Sequence, residues 1–248
     1  MKAFAITDVG EIRQTNQDYV FATEHPVGNL PNLFVVADGM GGHNAGDFAS
    51  KYTVERLVYA IRHDEDTNPV RILRKAIDFA NQELVKRARE DETKNGCGTT
   101  LVVAIVLKNY LYVANIGDSR LYVVGDDIRQ ITRDHSLVEE MVRLGELNKE
   151  EARNHPKRNV ITRAIGADDR VIIDFFSRKL SLGDLVLMCS DGLSNMLEDE
   201  QIRQIMRQPL DIEAKALELI QKANRSGGRD NISVVIIEPE IGEAEGGR

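Results

Sequence analysis

The chain has no apolar stretch approaching the ~20 consecutive residues that a membrane-spanning helix needs. Its opening residues, MKAFAITDVG, are too few and too polar for a secretory leader, so the cytoplasm is the expected location. Cysteine is scarce. Cys97 and Cys189 show no metal-ligand spacing and stand in or beside apolar strands, as free buried thiols of a reducing compartment do. A basic excess is missing too: 32 Lys and Arg face 40 Asp and Glu, a net charge of −8. That excludes the usual footprint of nucleic-acid binding and suits an acidic pocket that takes a cation. There is no internal repeat and no dividing linker. Residues 1–238 are expected to form one domain, and the acidic, Gly-rich stretch 239–248 a disordered tail.

What is present begins with a hydrophobic content of 42%, enough for a sizeable core. The chain is organised around Leu33 to Gly46, LFVVADGMGGHNAG. Leu33 to Val36 read as a buried strand from continuous apolarity and β-branching. Asp38 is expected where that strand ends. Gly39, Gly41 and Gly42 then let the backbone turn sharply and approach closely, and an amphipathic helix begins near Ala45. Such a run sets a carboxylate and exposed carbonyls at the rim of a core, which a hard divalent cation favours.

The other elements follow in order. Ala3 to Thr7 and Tyr19 to Thr23 read as strands around the polar cluster Arg13 to Asp18. Asn68-Pro69 has the form of a cap followed by proline at the first helical position. Behind it Val70, Leu73, Ile77, Ala80, Leu84 and Ala88 step by three and four along a core-facing helix. Gly98 to Leu107, Tyr110 to Ile116, Leu121 to Val124 and Ile128 to Thr132 read as strands joined by turns so short that neighbours must be antiparallel. Asp134 to Gly166 is polar and locally basic, with helical patches at Ser136–Leu144 and Asn148–Asn154. It reads as a solvated insertion or a flap over an anionic protein substrate. Strands at Val171–Lys179, Asp184–Cys189 and Ile232–Ile237 enclose helices near Asp199–Met206 and Asp211–Asn224.

Asp38, Asp118 and Asp191 each follow an apolar strand and touch a glycine, and Asp230 directly precedes a strand. Any one is a turn former. The repetition implies that these strand ends gather at one edge of the core. Clustered carboxylates repel one another, so cations are needed to neutralise them. Oxygen ligands without His or Cys favour Mg²⁺ or Mn²⁺ over zinc.

Six segments carry a resemblance: Arg13 with Asn16-Gln17-Asp18, Val36 to Gly42, Gly98-Thr99-Thr100, Gly117-Asp118-Ser119-Arg120, Ser190-Asp191-Gly192, and Gly228-Arg229-Asp230-Asn231. In order and spacing, from about residue 3 to 238, the chain resembles the type 2C metal-dependent Ser/Thr protein phosphatases, in particular compact bacterial members that oppose membrane-linked kinases. That resemblance implies an α+β fold, an αββα sandwich of two antiparallel sheets flanked by helices. It implies two to three Mn²⁺ or Mg²⁺ ions. Asp38 would bridge two of them and Gly39 would offer its carbonyl. Asp191 and Asp230 would hold one of the pair, Asp118 with Asp191 a third ion, and Asp18 would act from the outer shell. Arg13 would grip the substrate phosphate, for which its fork of donors is suited.

By the same resemblance, a water between the ions is deprotonated and attacks phosphorus in line, with no phospho-enzyme. The implied partners are phosphorylated Ser/Thr proteins, a cognate kinase among them, and the implied state is a monomer. Two departures matter. Animal members carry a histidine after the Asp-Gly pair, where this chain has Met40. The proton for the leaving oxygen must then come from metal-bound water or from His43, with His135 a more remote candidate. Some members place an acid at Asn195, which here implies a water-mediated part. Asn231 is a further candidate beside Asp230.

Rival chemistries fit poorly. A cysteine-dependent phosphatase needs Arg six residues after Cys, but Val103 and Asn195 stand there. The His and Asn motifs of calcineurin-like enzymes are absent. A dinucleotide loop would need Gly where Asn44 lies, and a two-metal nuclease would need a basic groove. The remaining alternative is a catalytically impaired, metal-binding regulatory module of the same fold, which the full ligand set disfavours.

Overall fold

The computed structural model describes residues 1–42 and 45–241. In the first sheet β1 (Lys2–Asp8) pairs with β11 (Ile232–Glu238), and β11 with β10 (Leu185–Cys189). Beyond β10 come β7 (Arg120–Val124) and β8 (Ile128–Gln130). The second sheet runs β2 (Asp18–Thr23), β3 (Leu33–Met40), β5 (Leu101–Leu107), β6 (Tyr110–Ile116) and β9 (Asp174–Lys179). The two-residue β4 (Gly98–Thr99) also pairs with β3. All these pairings are antiparallel, as the short turns require. At the Lys108-Asn109 turn Lys108 takes a φ of 56°, the left-handed conformation that a two-residue hairpin demands.

Side-chain alternation in β3 shows how the layers stack. Leu33 and Val35 join Val103 and Ile105 against Leu57 of α1 (Ala45–His63) and Leu73 and Ile77 of α2 (Pro69–Glu90). Phe34 and Val36 point the other way and meet Val102, Leu121, Val186, Met188 and Val235 between the sheets. On the outer face of the first sheet, Tyr122, Leu187, Val234 and Ile236 pack on α6 (Asp199–Met206) and α7 (Ile212–Arg225). Both faces of each sheet are therefore covered, which is why the strands are continuously apolar. Each fully buried Leu, Ile or Val contributes about 1.5–3 kcal/mol to this stack. The architecture is the expected α-β-β-α sandwich. The Asn68 side chain caps α2 by accepting the Arg71 N–H at 3.1 Å, with Pro69 at its first position.

Several boundaries differ from the sequence reading, and three of them shape one edge of the sandwich. β3 does not end at Asp38 but runs to Met40, and Asp38 lies directly opposite Asp18 of β2. The stretch 98–107 is not one strand. It breaks at Thr100, whose N–H and hydroxyl are both drawn to the Asp38 backbone. Ser190-Asp191-Gly192 is more than a turn: it opens a four-residue helix, α5 (Asp191–Ser194). The strand expected from Val171 starts at Asp174.

The segment 134–166 carries α3 (Leu137–Arg143), capped by Ser136, and α4 (Lys149–Arg153), capped by an Asn148–Glu151 box. Its roots bond to each other: Leu137 N–H to the Val160 carbonyl and Thr162 N–H to the His135 carbonyl, both at 2.8 Å. At the other end of the chain, Glu240 pairs with the N-terminal ammonium at 3.0 Å and Ile241 packs on the inter-sheet core. Residues 242–248 of the stretch read as a tail lie outside the described residues.

Candidate metal centre

Five chain segments each bring one aspartate to the edge where the two sheets meet. Asp18 and Asp38 face each other across β2 and β3. Asp118 ends the β6–β7 corner that crosses between the sheets, Asp191 opens α5, and Asp230 precedes β11. The crossing needs a glycine. Gly117 has φ +99°, and a Cβ there would meet Cβ and Cγ2 of Thr100 at 2.6 Å. Gly39 is required for a different reason: a Cβ would overlap the Gly46 carbonyl oxygen, because α1 starts against this edge.

The backbone of Asp38 is fixed while its carboxylate is left for other work. Its N–H donates to Thr100 Oγ1 at 3.0 Å, and its carbonyl accepts from Thr100 N–H at 2.8 Å and Thr99 Oγ1 at 2.9 Å. Asp18 Oδ2 accepts from Ser190 Oγ at 2.7 Å, and Asp191 Oδ2 accepts from Asn195 Nδ2 at 2.9 Å. The second oxygen of each, Asp18 Oδ1 and Asp191 Oδ1, is buried with no hydrogen-bond partner. Asp230 Oδ2 accepts from Arg13 Nη2 at 2.8 Å, and its Oδ1 accepts from the Asn231 N–H at 2.9 Å. Arg13 thus stands at the centre with its side chain half exposed.

The electrostatics mark one cluster. Burial, reinforced by the charges of Asp18, Asp191, Asp118 and Asp230, holds the Asp38 carboxyl well above the ordinary range. Asp118 is raised likewise, by burial first and then by Asp191 and Asp134. Burial lifts Asp18 to about 7 and Asp191 to about 6, with Asp230 adding to both. These groups repel one another and shed their charge in water. Orphaned buried oxygens, mutual repulsion and an all-oxygen donor set fit a hard divalent cation. Among the described residues no three His, Cys, Asp or Glu side chains already form a cage for one ion.

Other expected residues take different places. Asn231 is a clasp: Nδ2 donates to the Val9 and Thr15 carbonyls at 2.9 and 3.0 Å, and Oδ1 accepts the Gln17 N–H at 2.8 Å. It ties the Arg13 loop to the Asp230 strand. Asn195, expected to take a water-mediated part, donates its Nδ2 to Asp191 Oδ2 at 2.9 Å. His135 is buried beneath the Gly117 turn. Its Nδ1 accepts the Gly117 N–H at 3.1 Å and Nε2 faces Asp174 at 3.1 Å, and burial lowers its pKa. His43 lies outside the described residues.

Thr99, Thr100, Ser119 and Ser190 are the residues that sequence reasoning quoted without a role. Their signal was a hydroxyl at the mouth of an otherwise apolar strand. Beyond Asp118 and Asp191 a groove of about 790 Å³ opens between the segment 134–166 and α6, with Arg133, Glu139, Lys149 and Arg158 along it. Arg153 closes its far side by donating to the Ser194 and Leu197 carbonyls at 3.1 and 2.9 Å.

A layered sandwich with a buried carboxylate cluster at its sheet edge has the donor chemistry of the class of divalent-metal proteins. Comparison makes the class specific. A family model described as Protein phosphatase 2C matches residues 4–232. The serine/threonine phosphatase stp of Listeria monocytogenes is 41% identical over 242 residues, covering 95% of this chain and 94% of that protein. The crystal structure of the serine/threonine phosphatase Stp1 from Staphylococcus aureus matches with a TM-score of 0.89 at 35% identity, covering 96% of this chain and 95% of that one. The catalytic domain of the serine/threonine protein phosphatase PstP, solved with two manganese ions, matches with a TM-score of 0.83 at 32% identity, covering 95% and 96%. The chain belongs to the protein phosphatase 2C family and, with it, to the hydrolases that act on phosphoproteins.

Proposed function

We propose that this protein is a Mn²⁺- or Mg²⁺-dependent phosphatase that hydrolyses phosphoseryl and phosphothreonyl groups of proteins. The observation that carries the reading is the convergence of Asp18, Asp38, Asp118, Asp191 and Asp230 with Arg13, where two buried carboxylate oxygens have no partner. Asp38, Asp191 and Asp230 with the Gly39 carbonyl would hold two ions, Asp118 with Asp191 a third, and Asp18 would act from behind. Bound cations supply Lewis-acid activation of water and charge neutralisation at phosphorus. Arg13 donates two parallel hydrogen bonds to phosphate oxygens, exchanging its contact with Asp230 for the substrate. Thr99 and Thr100 keep Asp38 from moving as charge develops. Neither Met40 nor the doubly engaged His135 delivers the proton for the leaving oxygen.

Such substrates are products of a Ser/Thr protein kinase, so the partners are kinase-phosphorylated proteins and a cognate kinase among them. No described helix is long and apolar enough to cross a membrane, and the reading takes the protein as a cytoplasmic monomer. Release of phosphate from a phosphothreonine peptide, measured with Mn²⁺ and then with excess EDTA, tests it. Turnover that stops on chelation and returns with Mn²⁺ is the expected result. Turnover indifferent to EDTA would contradict it, and Mn²⁺ binding without turnover would make the protein the impaired regulatory module.

A further inference from the structure

A buried pair of hydroxyls, Thr100 and Ser119, lies between two of the candidate ligands without being either of them. Thr100 is 2% exposed and Ser119 fully buried. Thr100 Oγ1 accepts the Asp38 N–H at 3.0 Å and stands 2.7 Å from Ser119 Oγ, where either hydroxyl can donate. The Thr100 N–H donates to the Asp38 carbonyl at 2.8 Å. Thr100 therefore grips both sides of Asp38 with its amide and hydroxyl, and reaches Ser119, the neighbour of Asp118, with the same oxygen. Its methyl touches the Gly117 turn, which has no room for a Cβ. Asp38 belongs to the second sheet, whereas Ser119 leads into β7 of the first. The break between β4 and β5 is what frees Thr100 to make this crossing.

We propose that Thr100 is a positioning residue for the reaction: through its hydroxyl it sets the separation of the Asp38 and Asp118 carboxylates, and so the grip on the cations between them. The inference rests on the metal-centre reading above. Repelling carboxylates tend to spread, and cation sites tolerate only about ±0.2 Å in ligand distance. A tether from one strand to the next is the means of holding them. Partners behind metal ligands are typically worth about 10- to 100-fold in metal affinity.

Thermal melting in EDTA and in Mn²⁺, with Mn²⁺ calorimetry, separates positioning from bulk. Thr100→Val keeps size and removes the hydroxyl; Thr100→Ser keeps the hydroxyl and removes the methyl. The Val variant is expected to bind Mn²⁺ about 10- to 100-fold more weakly and to lose most of the rise in Tm that Mn²⁺ gives. The Ser variant keeps that rise. Ser119→Ala leaves the Asp38 bond in place, is expected to shrink the rise partway, and decides the matter if the Val variant does not fold. An unchanged rise in Thr100→Val, with both melting temperatures lowered equally, would overturn the proposal, as would equal losses in the Val and Ser variants or an unchanged rise in Ser119→Ala. A wild-type protein without any rise would remove the metal-centre reading first and this inference with it.

Discussion

Without cations, this fold should become less stable as the pH rises through the range where carboxylates lose their last protons. Asp18 is moved from an ordinary 3.8 to about 7 and Asp191 from 3.8 to about 6, by burial first and by their acidic neighbours second. A carboxyl whose folded pKa is raised holds its proton longer in the native state than in the unfolded chain. Stability is then full below about pH 4, falls as pH rises to about 7, and levels off above. At about 1.4 kcal/mol per pH unit, ionising Asp18 in the fold costs roughly 4 kcal/mol and Asp191 roughly 3. Their repulsion is shared, so the two do not add in full, and a net fall on the order of 4 kcal/mol is expected. Asp38 and Asp118, also raised, act in the same direction. His135 opposes them: burial lowers its pKa, so its contribution grows as pH rises toward its ordinary 6.5. The assay is a urea midpoint at about pH 5 and about pH 8, in EDTA and in Mn²⁺. In EDTA the midpoint should drop with pH; in Mn²⁺ it should rise, because protons compete with the cation for the same oxygens. An EDTA midpoint equal or higher at the upper pH would refute the claim that these aspartates converge.

Further outcomes follow from the same geometry. Asp38→Asn and Asp191→Asn should each lower phosphopeptide turnover by at least roughly 100-fold while raising the urea midpoint in EDTA near neutral pH, since a buried group that resists ionising is replaced by one that stays neutral. Arg13→Ala should lower kcat/KM by about 10- to 100-fold, as loss of charge-assisted hydrogen bonds does, with Mn²⁺ affinity by calorimetry little changed. Gly39→Ala should cost about 1–3 kcal/mol by denaturant unfolding, because its Cβ overlaps the Gly46 carbonyl. Gly42→Ala, whose Cβ would meet nothing within 4 Å, should stay within about 0.5 kcal/mol.

The layers of the sandwich were legible because burial on both faces leaves a strong trace: LFVV, LVVAIVL and ISVVII are long apolar runs broken by turn residues. The α2 cap was legible because Asn68-Pro69 is a local motif. Four of the aspartates stood out at strand ends, and Arg13 joined them through resemblance. What escaped was decided by tertiary contact. Nothing near Asp38 says that β3 continues to Met40, since that extension depends on pairing with Asp18 and with Gly98-Thr99. The break at Thr100 is invisible in GTTLVV because it exists to serve Asp38, 62 residues away. Asn231 looked like a neighbour of a ligand, yet its side chain spends its bonds on residues more than 200 positions earlier. His135 was only a remote candidate as proton donor, and the fold engages both of its ring nitrogens.

The most direct measurement of the central claim is anomalous scattering from crystals of the protein grown with Mn²⁺. Peaks touching Asp38, Asp191 and Asp230, with a further one between Asp118 and Asp191, are the result expected of a carboxylate centre built for divalent cations. Manganese bound elsewhere, or an empty edge between the two sheets with Asp18 Oδ1 and Asp191 Oδ1 hydrogen-bonded to protein instead, would contradict it.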